Sequence, residues 1–151
     1  MLPAEIAKSG TEHAHQCAVF AWANVAARYG IEIANDWANN NIDLTKMDNA
    51  KAIPILDWLF AIPNGGLRNI AVARKLKSEG LKKGVFDLFL PIPCSGYHGA
   101  FFEIKSPSGS LSKDQKEFGK YLGTRGYFYA IIRNVEIFKS VVSFYVGKGT
   151  I

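Results

Sequence analysis

Two apolar runs, each interrupted by charge, constrain this chain more than anything else in it. The first, Gly84-Val85-Phe86-Asp87-Leu88-Phe89-Leu90, holds one aspartate. The second, Phe101-Phe102-Glu103-Ile104-Lys105, holds a glutamate and a lysine two residues apart. Runs this apolar read as strands. Side chains alternate along a strand, so Glu103 and Lys105 share a face while Ile104 points into the opposite layer. If the runs are neighbouring strands, Asp87, Glu103 and Lys105 meet at one spot. Two carboxylates and a lysine suit a hard divalent cation and an anionic substrate.

Basic residues bracket these runs. Arg68, Arg74, Lys75, Lys77, Lys82 and Lys83 precede the first; Lys113, Lys116, Lys120 and Arg125 follow the second. The chain carries a formal charge of +5, which favours a polyanionic partner. Solvated helix faces are the ordinary explanation of such clusters. Beside a cation-binding constellation phosphate contact is the better one, with Arg68, Arg74, Lys82, Lys83, Lys113 and Lys116 as its candidates. A length of 151 residues is expected to form one domain, residues 1–151, with a core that needs no staples. Cys17 and Cys94 are too few for a disulfide framework, so a reducing cytoplasm is expected. No apolar stretch is long enough to span a bilayer and the N-terminus lacks a leader pattern, so no membrane contact is expected.

Periodicity predicts a helix over 11–29, with Ala14, Ala18, Ala21, Trp22, Val25 and Tyr29 on one stripe, stopped by Gly30. Residues 31–52 read as a loop or a short helical insertion. Asp57 to Ile62 reads as a strand closed by the turn Pro63-Asn64-Gly65-Gly66, and Leu67 to Ser78 as a helix. Strands are expected over 85–91, 99–105 and 127–133, and helices over 112–122 and 135–144. The order α-β-α-β-β-α-β-α implies an α/β fold, a mixed sheet flanked by helices.

Each site residue has a plainer explanation. Asp87 and Glu103 can be structural ion-pair partners, and Lys105 can simply pair with Glu103. Glu12 follows Thr11, a good cap, and suits the positive end of a helix dipole. Ser112-x-x-Gln115 is a capping box, and for Ser112 the cap is favoured. Gln16, four residues after Glu12, shares its helix face. His13, His15 and Cys17, with Cys94 and His98 farther on, make a poor zinc set, because alternating positions on a helix do not converge.

Taken in order, Asn64-Gly65, the basic segment 68–83, Gly84-x-x-Asp87, Glu103-x-Lys105 and Ser112-x-x-Gln115 resemble the VRR-NUC domain of the PD-(D/E)XK nuclease superfamily. Glu12 and Gln16 match an early helical Glu and Gln of that family. Phe86 departs from the pattern, which usually has proline before the strand acid; geometry is expected to be tuned and activity to survive.

The resemblance implies a restriction-endonuclease-like fold and metal-dependent DNA phosphodiester hydrolysis. It places Asp87, Glu103, Glu12 and the Ile104 carbonyl around Mg²⁺ or Mn²⁺, with Asp87, Glu103, Lys105, Glu12 and Gln115 as catalytic residues. Small stand-alone members, from phages and bacteria, resemble dimeric Holliday-junction resolvases, so branched DNA and a homodimer are expected. The alternatives are a flap or other branched-DNA endonuclease, a sequence-specific or RNA-directed metal-dependent phosphodiesterase, and a non-catalytic DNA-binding module. Trp37 or the segment containing Phe138, Val141, Val142 and Phe144 would form the interface, although such residues more often complete a monomer core.

Overall fold

The computed structural model describes residues 1–63 and 69–147. The expected Asn64-Gly65-Gly66 turn, Leu67 and Arg68 lie outside the described residues. Helix α1, Pro3–Ile6, is a single turn that the sequence did not suggest. Helix α2 spans Glu12–Tyr29 and starts where Thr11 Oγ1 accepts the Ala14 N–H at 3.2 Å. Its buried face is wider than the expected stripe and includes Val19, Ala23, Ala26 and Ala27, while Ala21, Val25 and Tyr29 sit at the margins. The width follows from its neighbours, since α2 packs against helices on several sides. Small alanines let those helices approach closely. The 31–52 stretch begins as helix α3, Ile31–Ala38, tied down where Trp22 Nε1 donates to Asn35 Oδ1 at 3.0 Å.

Of the strand expected over 57–62, Asp57 and Trp58 end a 3₁₀ helix, Pro54–Trp58, and Phe60–Ala61 form the short strand β1. Pro54 begins the 3₁₀ turn where its missing N–H is harmless. Leu56 and Leu59, three apart, both turn inward, which suits three residues per turn and leaves Trp58 and Phe60 exposed. Helix α4, Ile70–Ser78, is capped by Asn69, whose Oδ1 accepts the Val72 N–H at 2.8 Å.

Three further strands follow: β2, Leu88–Leu90, β3, Ala100–Ile104, and β4, Phe128–Ile132. The sheet order is β1-β2-β3-β4, antiparallel except for the parallel β3–β4 pair. A parallel pair needs a crossover, and α5, Lys113–Thr124, supplies it. Helix α6, Val135–Gly147, closes the described chain. The mixed α/β sheet is as expected, with α1 and α3 as additional helices.

Alternation divides the sheet into two faces. Leu88, Leu90, Ala100, Phe102, Ile104 and Ile132 point into the core with Trp22 and Val142. Phe138 sits edge-on between Trp22, at 5.9 Å, and Phe102, at 5.3 Å. Phe138 and Val142 therefore complete the monomer core and are not available as an interface; Phe144 is the exposed member of that segment. The opposite face carries Phe89, Phe101 and Glu103 and is partly covered by α5. At Gly119 a Cβ would sit 3.1 Å from the Tyr129 ring and 3.2 Å from that of Phe86, so a glycine lets α5 lie close.

Candidate functional site

The antiparallel register pairs Leu88 with Phe102, which sets Asp87 and Glu103 opposite one another just past the ladder. The expected strand over 85–91 is shorter than its apolar run, and Asp87 occupies a bend directly before β2. Its carboxylate takes over where the ladder stops: Oδ2 accepts the Ile104 N–H at 2.8 Å. An aspartate in an apolar run is thus explained locally, because it satisfies a backbone donor that would otherwise be orphaned.

Glu103 is 2% exposed. Its Oε1 accepts from Gln115 Nε2 at 2.5 Å and lies 3.4 Å from Lys105 Nζ. Its Oε2 is buried without a hydrogen-bond partner. Lys105 stands just beyond β3, its N–H donating to Ile132 O at 3.0 Å. From the helix side Glu12 brings Oε1 to 3.9 Å from Lys105 Nζ, where it also accepts the Ser106 N–H at 3.4 Å. Gln115 is placed by the capping box that starts α5: Ser112 Oγ accepts the Gln115 N–H at 3.2 Å, and Gln115 Oε1 accepts the Ser112 N–H at 2.9 Å. Asp87, Glu103, Lys105, Glu12 and Gln115 are thereby gathered from four separate segments. Gln16 is half-buried one turn beyond Glu12.

The basic residues are more dispersed. Arg74 on α4, Lys82 after it, and Lys113 and Lys116 at the start of α5 are all exposed. Lys83 Nζ lies 3.2 Å from Asp114 Oδ2. Of the histidines, His15 is buried with neither ring nitrogen hydrogen-bonded, and His13 Nε2 lies 3.6 Å from Cys17 Sγ. Arg133 was not singled out in the sequence. Its Nη1 donates to the carbonyls of Ser106 at 3.0 Å and Gly109 at 2.6 Å, holding the turn that follows Lys105. An arginine closing the apolar run expected as the 127–133 strand was the available signal.

Burial pushes the Glu103 carboxyl up to about 8; the Asp87 charge acts in the same direction and Lys105 opposes it. Burial also raises Asp87, opposed by the Ile104 N–H, with the Glu12 charge adding to the rise. Two carboxylates held together against their own repulsion, one with an unpaired buried oxygen, suit a hard cation. Among the described residues no group of three His, Cys, Asp or Glu side chains is arranged to hold an ion by itself. The protein ligands would therefore be the Asp87–Glu103 pair supplemented by backbone or water oxygens. Such a set suits a hard divalent cation that retains several waters.

A mixed sheet that presents an aspartate and a Glu-x-Lys at neighbouring strand ends, with a helix crossing above them, defines a restriction-endonuclease-like fold. The VRR-NUC domain model matches residues 35–136, and the chain belongs to that family, part of the PD-(D/E)XK superfamily. The matched range contains Asp87, Glu103, Lys105 and Gln115, while Glu12 lies before it. A solved structure described as a VRR_NUC domain protein is similar over 92% of this chain and 90% of its own, at 23% identity and a TM-score of 0.63. That likeness bears on the fold. A comparison with curated proteins finds no match. Family membership makes this a nuclease-type, DNA-processing domain, and the family is generally dependent on divalent metal. Among the described residues no helix is long and apolar enough to cross a membrane.

Proposed function

We propose that this chain is a structure-specific endonuclease that hydrolyses phosphodiester bonds in branched DNA, resolving four-way junctions as a homodimer. The observation that carries the reading is the meeting of Asp87, Glu103 and Lys105 at one spot, with Gln115 bonded to Glu103. Asp87 and Glu103 would hold Mg²⁺ or Mn²⁺, with the Ile104 carbonyl and water as further oxygen donors and Glu12 outside the direct ligand set. When bound there, the cation would supply Lewis-acid polarisation of the phosphate and a lowered pKa for an attacking water. Lys105, 13% exposed along its side chain, places a positive charge where negative charge develops on the phosphate oxygens. Gln115 fixes the Glu103 carboxylate, and Glu12 fixes both Lys105 and the Ser106 amide. Paired cuts across a junction need two such sites, which a symmetric pair of chains provides. The unit of function is residues 1–151 as one domain, with 31–52 as an insertion.

The test is cleavage of end-labelled four-way junction, flap and plain duplex, in Mg²⁺, Mn²⁺ or chelator. Paired metal-dependent cuts on the junction, lost in Glu103→Ala and Lys105→Ala, are the expected result. Preferential flap cutting would retain the site and replace the substrate. Turnover unchanged in either variant would overturn the site. Tight binding without cleavage of any substrate would make the domain a non-catalytic module.

A further inference from the structure

The sheet face that carries Glu103 also carries a row of aromatic rings. Phe60 pairs with Phe89, Phe89 with Phe101, and Phe101 with Tyr129, so one aromatic residue comes from each strand in turn. The rings touch along most of this row: Phe60 meets Phe89 edge-on at 5.8 Å, and Phe89 stacks on Phe101 at 4.2 Å. Phe101 and Glu103 are two residues apart on β3, so the row lies roughly 6.5–7 Å along the strands from the acid pair. Helix α5 covers the Phe101 part, where Phe118 packs edge-on against that ring at 5.4 Å. The β1 end is open. Phe60 is 46% exposed and Trp58 66%, while Leu59 between them turns into the core.

Large exposed rings beside a site are a binding surface for something, and the surrounding charge says what. A cleft of about 430 Å³ opens just past β1, lined by Ile62, Leu76, Leu81 and Val85 with Glu79 and Lys82 as its charged members; Glu79 Oε1 lies 3.9 Å from Lys75 Nζ. Leu76 belongs to α4, which also carries Arg74, Lys75 and Lys77, all exposed. Exposed rings on β1, followed in the chain by a helix that presents Arg74, Lys75 and Lys77 to solvent, fit a partner that has flat π-faces and regular negative charge, which is a single-stranded nucleic acid. A paired duplex keeps its base faces stacked away from such rings.

We infer that Trp58 and Phe60 form a stacking platform for unpaired bases of the DNA strand beside the cleaved phosphate. The inference rests on the nuclease reading and adds to it the feature recognised: the splayed bases at a branch point. Phosphate contacts from α4 and Lys82 hold the strand while the rings engage its bases.

Binding is measured in chelator, so that it does not depend on cleavage, using fluorescein-labelled oligo(dT) and a blunt duplex. For Trp58→Ala/Phe60→Ala the affinity for oligo(dT) is expected to fall by about tenfold or more, the scale of one lost base stack. Duplex affinity should stay within about twofold, because phosphate contacts are unaffected. Oligo(dT) should quench tryptophan fluorescence in the wild type and in Trp37→Phe but not in Trp58→Phe; Trp22 is fully buried and Trp37 half-buried. Phe60→Trp with Trp58→Phe should retain most of the affinity, which separates stacking from a folding defect. Equal losses on both DNAs, or no quenching, would overturn the platform. So would a dimer that dissociates in the double alanine variant, which would make this face an interface between copies. Failure here would leave metal-dependent cleavage intact, whereas failure of the nuclease reading would leave this binding intact.

Discussion

The Gln115 side chain joins the cap of one helix to the buried Glu103 carboxylate. One end of its amide accepts the Ser112 N–H and the other donates to Glu103 Oε1. A structural motif and a site residue are therefore the same group. Ser112→Ala should cost about 0.5–2 kcal/mol of stability and leave cleavage near wild type, because the bond to Glu103 remains. Gln115→Ala should lower kcat by about 10–100-fold, the usual effect of removing a group that orients a ligating residue. Equal activities in the two variants, measured at saturating DNA, would contradict this division of roles.

Glu103 gives the metal-free protein a characteristic pH dependence. Its carboxyl titrates near 8 in the fold and near 4.5 ordinarily, because burial disfavours its charged form. The folded state thus keeps a proton that the unfolded state has lost, and this contribution to stability falls as pH rises from about 4.5 to about 8. Thermal melts in chelator should show Tm decreasing across that window. Glu103→Gln should flatten the decrease and gain most at the alkaline end. Parallel Tm profiles for the two proteins would show that Glu103 does not titrate there.

Gly84 sets the approach of the chain to Asp87. Its φ is +86°, and a Cβ would sit 2.6 Å from the backbone of Asp114 at the start of α5. Gly84→Ala should destabilise by about 1–2 kcal/mol from the left-handed backbone alone, with the clash adding to it. Asp114 precedes Gln115, so cleavage should fall as well. Urea unfolding with an unchanged midpoint would refute the close approach.

Lys82 and Lys83 follow α4 on the exposed side of the chain. Their joint replacement by alanine should weaken duplex binding and reduce the steepness of log K against log salt by about 1.8, two lost phosphate contacts. Lys83 already has Asp114 within 3.2 Å, so its share should be the smaller one in the single variants. An unaltered slope would place the DNA elsewhere.

Most elements were legible because their signals are local. Thr11 and Ser112 cap helices at the predicted places. The alternation of Phe101 to Lys105 put Phe102 and Ile104 in one layer and Glu103 in the other, as the sheet has them. The strand expected over 57–62 is shortened to Phe60–Ala61 because inward leucines three apart favour a 3₁₀ turn before it, and short apolar runs do not distinguish the two. The limits of β2 were hidden for a different reason. The Asp87 side chain, and not its backbone, meets the Ile104 N–H, which depends on a strand seventeen residues away.

What the sequence determined by itself was the roster of the site: an acid, an acid and a lysine on apolar runs, and a glutamine in a capping box. Spacing on a strand or helix decides which of these share a face, since that is a matter of a few bonds. Only the tertiary structure decided how they meet. It gave Glu103 one partnered and one unpartnered oxygen, brought Glu12 to Lys105, and set Arg133 to hold the turn beyond it. Those relations join residues far apart in the chain, and their geometry follows from how the helices pack on the sheet.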